Sequence, residues 1–474
     1  MDERLKPWQW GGVTLGALLF FYAVLTHMQY FGSISFLGAV LLVEVVVVSL
    51  WKYERRFFLL LMIAFLWAGM NVPMQGAWTG GRWFVLSAGA MIGYIIWLRA
   101  PSRSLRTIHL LAFFCMGAAL VSATVSPFVQ MASYKAVSLC LLFLYCSSGA
   151  RLGVIGREER FFRGLVLAGE IAVVATAVCY FVLGEQIWGN PNSLGAAMSI
   201  GVFPILLWGW FVSDSPGARL RRLSSLLLCS VLVIYSLARA GIVSIAVVTV
   251  VFCLCLHQYR LLAKIVGLTL ALVAVIGMLA PQVLNKATND LEDSVLYKNH
   301  REQGLFGSRQ SPWEKSISAI KAHPLFGTGY GTSPSGEDPG LYFGKFASSA
   351  ETAREHGSSY MTIMEWVGLL GVMPFLALVG HTLRNVWRVC GWMKRTLNFR
   401  HYSVPLAMVV LSGAIHANFE DWMFAVGAYP CVYFWVFAFL LADLLPPVAA
   451  ASKVTVMARP PMPIRVVGAV ASNR

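Results

Sequence analysis

Apolar runs long enough to cross a bilayer follow one another along most of this chain, separated by short polar connections. A membrane-spanning helix needs roughly 20 residues. Read at that length, the runs predict helices over 9–27, 33–51, 57–71, 83–98, 107–125, 132–149, 164–183, 193–212, 223–238, 241–257, 261–280, 358–380, 402–418 and 422–443. The pattern breaks once. From Pro281 to Gly357 the chain turns polar, and titratable groups, glycines and aromatics crowd together. The expected fold class is therefore all-α, a polytopic transmembrane helix bundle of about fourteen helices with one long loop. Its expected divisions are an N-terminal bundle over 1–280, the loop over 281–357, C-terminal helices over 358–445 and a Pro-, Ala- and Val-rich tail over 446–474.

Within the loop, Ser311-Pro312-Trp313-Glu314 reads as a helix start, with Ser as N-cap, Pro in the first turn and Glu completing a capping box. Trp313, Ile317 and Ile320 then share one face, which predicts a short amphipathic helix over Pro312–Ala322 lying on the membrane or the bundle. His323-Pro324 ends it. The following Gly327-Thr328-Gly329-Tyr330-Gly331 reads as a flexible turn where backbone can approach a ligand closely. It lacks the lysine and preceding strand of a phosphate-binding loop, which argues against a nucleotide site.

Composition agrees with the pattern: 58% hydrophobic, 12% charged, mean hydropathy +0.67. A net charge of +15 suggests nucleic acid only until its distribution is considered. Every second connection is rich in Lys and Arg, whereas the alternate short connections hold only Arg82, Lys135 and Arg239. This asymmetry places both termini in the cytoplasm and the long loop on the opposite, outer side of the membrane. The surplus charge is thus a topology signal with attraction to anionic lipid, and no nucleic-acid partner is expected. The nine cysteines lie in or beside the spans, except Cys390 in a predicted cytoplasmic loop, and none has zinc or disulfide spacing. The first apolar segment lacks a small-residue cleavage site and reads as a retained helix. No repeat of fixed period is present.

Candidate chemistry sits where the loop meets the membrane. His356 stands just before the helix at 358, either as a reactive group or as a helix-capping surface residue. His416 and Glu420, four apart, are expected on one helical face with Asp421 following, so two histidines and two acids can surround one cleft. A His-Glu pair can also be half a metal site, but third and fourth ligands are not evident. Arg239 lies between apolar segments on the side poor in basic residues, where it calls for an anionic partner such as a lipid phosphate, or else snorkels. Asn190-Pro191-Asn192 opens a helix and can be simply a turn with an N-cap. Glu44, Glu170 and Glu365 are acids inside apolar spans, functional candidates or buried hydrogen-bonding groups.

In order along the chain, Asn190-Pro191-Asn192, Ser236-x-x-Arg239, Arg309-x-x-x-Trp313, the Pro324–Gly331 run, His356-x-Ser-Ser-Tyr, Glu365-x-x-Gly368-x-x-Gly371 and Phe419-Glu420-x-Trp422 resemble the O-antigen ligase/polymerase superfamily of bacterial surface-polysaccharide assembly. The resemblance covers about residues 185–440. It implies a metal-independent membrane glycosyltransferase without a cofactor. Such an enzyme moves a glycan from undecaprenyl pyrophosphate to another glycan (polymerase) or to lipid A core (ligase). His356-Gly357-Ser358-Ser359 in place of the commoner His-Asn start favours the polymerase type. Carried over, His356 is the base or acceptor-orienting residue, and Arg239 and Arg309 hold the leaving pyrophosphate. Asn192, His416 and Glu420 join them as substrate-binding candidates. The chemistry is coherent, because arginines can neutralise a departing pyrophosphate and a histidine can activate a sugar hydroxyl near pH 7. The rivals are a lipid-linked oligosaccharide flippase or other secondary transporter, for which two similar halves with broken helices are expected, and a structural scaffold with replaceable outer residues.

Overall fold

The computed structural model describes residues 57–71, 75–99, 106–267, 271, 307–333 and 356–447. The predicted spans 9–27 and 33–51, most of 261–280, the polar run before Gly307 and the tail beyond 447 lie outside them. Among the described residues every regular element is helical. In chain order the helices are α1 (Phe57–Ala68), α2 (Gln75–Arg99), α3 (Thr107–Thr124), α4 (Val129–Ser147), α5 (Glu158–Val178), α6 (Pro191–Ala196, continuing through a π-helical stretch to Val212), α7 (Pro216–Tyr235), α8 (Arg239–Cys255), α9 (Gly307–Ala322), α10 (Ser359–Thr396), α11 (Ser403–His416) and α12 (Tyr429–Asp443). Six helical stretches are long and apolar enough to cross a membrane, and α1, α8, α11 and α12 are shorter apolar helices. The all-helical membrane bundle expected from the apolar runs is therefore present.

Several ends are set by local chemistry. Asn190 caps α6, its Oδ1 accepting from the Ser193 N–H at 2.7 Å, with Pro191 in the first turn. Ser215 does the same for α7, ahead of Pro216. The span expected from 422 starts only at Tyr429, because Pro430 suits a first turn and the residues before it serve a buried loop instead. The span expected to end at 380 runs to Thr396, so Cys390 is helical and not in a loop. Ser311 is not an N-cap. Helix α9 starts at Gly307 and carries Pro312 inside it, at the sixth position, where the missing N–H forgoes one bond of the ladder. Its buried stripe also differs from the expected apolar one: Arg309 and Ser316 are buried and Ile317 is exposed.

Helix α10 packs most extensively on α3 and α11, and α12 fills the centre with Phe434, Trp435, Phe437 and Phe439. Outward faces such as Leu110, Phe113 and Phe114 on α3 are exposed, as a lipid-facing surface requires. Glu170 is accounted for within the bundle, 3.0 Å from Arg221 Nε and 3.8 Å from Arg222 Nε. At the same end of the molecule Asp443 pairs with Arg151 at 2.8 Å and Arg106 at 3.5 Å.

The feature that positions the site is a break in α10. Gly368 adopts φ 67°, ψ −178°, which severs the helical ladder there. The severed groups are satisfied by the glycine-rich run. Thr328 and Gly329 donate their N–H groups to the carbonyls of Glu365 (2.9 Å) and Trp366 (3.1 Å). In return, Leu369 and Leu370 donate to the carbonyls of Pro324 (2.8 Å) and Leu325 (3.2 Å). This reciprocal exchange leaves those four broken-ladder groups paired, as backbone inside a membrane protein must be. The expected close approach of the Gly run is real, but it is made to protein backbone and not to a ligand. A Cβ on Gly327 would lie 2.4 Å from the Trp366 carbonyl oxygen.

Candidate active site

His356 leads into α10 and is buried at 1% exposure. Its backbone N–H donates to Asp421 Oδ2 at 3.0 Å, and the same oxygen lies 3.1 Å from its Nδ1. A carboxylate accepts only, so Nδ1 carries a proton and the lone pair of the neutral ring is at Nε2. There Ser333 Oγ stands 2.8 Å away. Ser333 accepts from the Trp366 indole N–H at 3.2 Å, which leaves its own proton to donate to His356. Glu365 Oε1 lies 3.4 Å from the same Nε2 and is fully buried. Burial pulls the His356 pKa down, but hydrogen bonds to Asp421 and Glu365 and the charges of both acids outweigh it and hold it above the usual 6.5. Burial pushes Asp421 up, yet its bonds to His356 keep it below the ordinary carboxylate value. The arrangement is a histidine with a fixed tautomer, poised to accept a proton at Nε2 with a carboxylate beside the resulting charge.

A second cluster adjoins the first. Arg309, buried in α9, reaches Glu420 Oε1 at 2.7 Å, and Asn192 Nδ2 approaches the same oxygen at 3.3 Å. Arg239, at the start of α8, lies within electrostatic reach of both Arg309 and Glu420. The Asn-Pro-Asn turn meets the Ser-x-x-Arg turn because Gly195 lets them touch: a Cβ there would stand 2.4 Å from Ala238 Cβ. Leu237 pays a left-handed φ of 52° to make that second turn.

Adjacent residues Glu420 and Asp421 join the two clusters, and Ser359 fastens their loop. Its Oγ donates to the Glu420 carbonyl at 2.6 Å and accepts from the Met423 N–H at 3.0 Å, while its own N–H donates to the Ala417 carbonyl at 2.9 Å. Gly357, at φ 69°, lets α9 close over this corner, since a Cβ there would meet Arg309 Cδ at 2.8 Å.

The expected helical face shared by His416 and Glu420 does not form. Helix α11 ends at His416 and the chain turns, so Glu420 faces Arg309 while His416 turns to Trp422, whose indole N–H donates to its Nδ1 at 3.0 Å. His416 is buried, and among the described residues its Nε2 has no hydrogen-bond partner. It is nonetheless within electrostatic reach of Arg309. All six candidates thus lie in or against these clusters. Ser333 and Trp366 were not anticipated, and nothing in the sequence marks Ser333. In the sequence Glu365 stands out as an acid inside an apolar span and in the Glu365-x-x-Gly368-x-x-Gly371 run, signals that mark it as a candidate without setting it beside His356. Among the described residues no group of three or more His, Cys, Asp and Glu is arranged to hold a metal ion.

A family model described as O-antigen ligase matches residues 224–362. The chain carries an O-antigen ligase-type segment. This bears out the resemblance to the O-antigen ligase/polymerase superfamily and points to membrane glycosyltransferase activity of that type. The matched segment holds Arg239, Arg309 and His356, while Asn192, His416, Glu420 and Asp421 lie outside it and meet it in space. No curated protein matches the chain.

Proposed function

We propose that this protein transfers a glycan from a polyprenyl (undecaprenyl) pyrophosphate carrier to a sugar hydroxyl on the periplasmic face of the inner membrane, as a polysaccharide polymerase in preference to a ligase acting on lipid A core. The observation that carries this reading is His356, held by Asp421 at Nδ1 so that Nε2 is the nitrogen able to take a proton, next to a pair of arginines within electrostatic reach of one another. The acceptor hydroxyl replaces Ser333 at Nε2, loses its proton to His356 as its oxygen attacks the anomeric carbon, and Glu365 stabilises the imidazolium. The bond from that carbon to the pyrophosphate oxygen breaks, and Arg239 and Arg309 neutralise the departing charge. Attack opposite the leaving group inverts the anomeric centre. The donor carries its own driving force, so no nucleotide is required.

Ser333, His356 and Asp421 also have the hydrogen-bond order of a nucleophilic triad. In this second reading Ser333 Oγ attacks the sugar first and a second displacement restores the configuration. Product stereochemistry separates the two: inversion, with activity surviving Ser333→Ala, supports direct transfer, whereas retention with complete loss in Ser333→Ala supports the covalent route. The broader test is a deletion strain. Accumulated lipid-linked single repeats indicate a polymerase, finished polymer a ligase, and intermediates trapped on the cytoplasmic face a flippase.

A further inference from the structure

At the other end of α10, well away from His356, a cavity of about 360 Å³ opens among the ends of α3, α10 and α12. Its separation from the candidate active site is on the order of 30 Å along the helix, so it is not a continuation of that site. Arg106, His381, Asn385, Arg388 and Asp443 line it. Asp443 is the single carboxylate in the lining and is already paired with Arg106 and Arg151. Arg388 has no carboxylate partner among the described residues, so the lining keeps positive charge. Asn385 is buried at 1% exposure, and among the described residues its Nδ2 donor finds no acceptor. A buried amide donor without a partner costs free energy unless something accepts from it.

We propose that this cavity binds the phosphate of an anionic phospholipid, with Asn385 donating to a phosphate oxygen and Arg106 and Arg388 supplying the charge. Two features favour a lipid over a soluble phosphate. Trp387, next to Arg388, is 79% exposed, as aromatic residues at head-group level are. Below the cavity, Leu110, Phe113 and Phe114 present an exposed apolar face along which acyl chains can lie. A basic pocket between helix ends, floored by apolar surface, suits a phospholipid.

The test titrates the purified full-length protein in neutral detergent with phosphatidylglycerol, phosphatidylethanolamine or inorganic phosphate. Bound lipid is counted by native mass spectrometry, and the thermal midpoint is followed in parallel. One phosphatidylglycerol is expected to bind in preference to phosphatidylethanolamine, with no midpoint shift from inorganic phosphate. Arg388→Gln, on an exposed residue that folding tolerates, is expected to weaken that binding about fivefold. Asn385→Leu should remove the specific adduct, while Arg395→Gln, on the same helix but outside the cavity, leaves it intact. Equal binding of the two lipids, or wild-type retention in Arg388→Gln, overturns the proposal. So does an equal loss in Arg395→Gln, which indicates diffuse attraction only. Stabilisation by inorganic phosphate equal to that by lipid overturns the lipid assignment in favour of a soluble anion.

Discussion

At the scale of single residues, His356 is governed by two acids whose effects can be separated. Asp421 fixes the tautomer, and both acids hold the imidazole above its ordinary pKa of 6.5. A base must be neutral to act, so the transfer rate is expected to rise with pH along a limb centred above 6.5. Asp421→Asn removes one charge, so its limb should move to lower pH, with the plateau rate falling about 100-fold or more as the tautomer is lost. A pH–rate profile in which the limb does not move separates Asp421 from His356. His356→Ala should abolish transfer without changing protein abundance, and His416→Ala should be milder. For the arginines, the proposed bidentate hold on pyrophosphate needs the planar guanidinium fork, so Arg239→Lys and Arg309→Lys should each lose most activity with a lipid-pyrophosphate donor. Full activity in both lysine variants removes the clamp assignment, and loss of wild-type activity on adding chelator revives a metal. His356, Asp421 and Arg239 were legible because polar groups beside apolar spans are costly without a task, whereas Arg309, inside a polar loop, was marked only by the family resemblance. Ser333 was not, since an ordinary serine in a polar loop carries no signal until folding sets it against Nε2.

At the scale of elements, the apolar runs located helices well where their ends coincide with caps and proline, as at Asn190-Pro191 and Ser215-Pro216. They failed where a buried segment is apolar without being helical. Residues 422–428 contain Trp422, Met423 and Phe424, all buried, and read as the start of a span although they belong to the loop that holds Glu420 and Asp421. Glu420 was expected on a helical face with His416 from their four-residue spacing alone, but α11 stops at His416. Helix α9 misled in the opposite sense, because Ser-Pro-x-Glu is a good helix start that the structure bypasses. The break in α10 gives a direct prediction. Gly368→Ala places a Cβ 2.4 Å from the Leu325 carbonyl oxygen at a positive φ, so it should cost about 1–3 kcal/mol of stability. Because Glu365 lies just before the break, transfer should fall with it. Thermal unfolding in detergent and an activity assay check both, and a variant as stable and active as wild type shows that the kink is dispensable.

At the scale of the whole molecule, the distribution of charge predicts that an alkaline phosphatase fusion at Gly336 is active and one at the C-terminus is not. An active fusion on the tail breaks the predicted orientation. The exchange of hydrogen bonds between α10 and the Pro324–Gly329 run bears on biogenesis as well as on shape. Arriving alone in the bilayer, α10 cannot keep its break at depth, because the exposed carbonyls and N–H groups would each cost several kcal/mol in hydrocarbon. It must enter straight or remain shallow until the glycine-rich run docks. That run in turn needs Ser126 and Lys135 at the facing ends of α3 and α4 to receive Thr332 and Gly331. The kink that brings Glu365 under His356 therefore forms late, after helices from both ends of the chain have met. Reactive geometry appears only in molecules that have finished assembling, so under the proposed function a partly inserted chain cannot spend lipid-linked sugar.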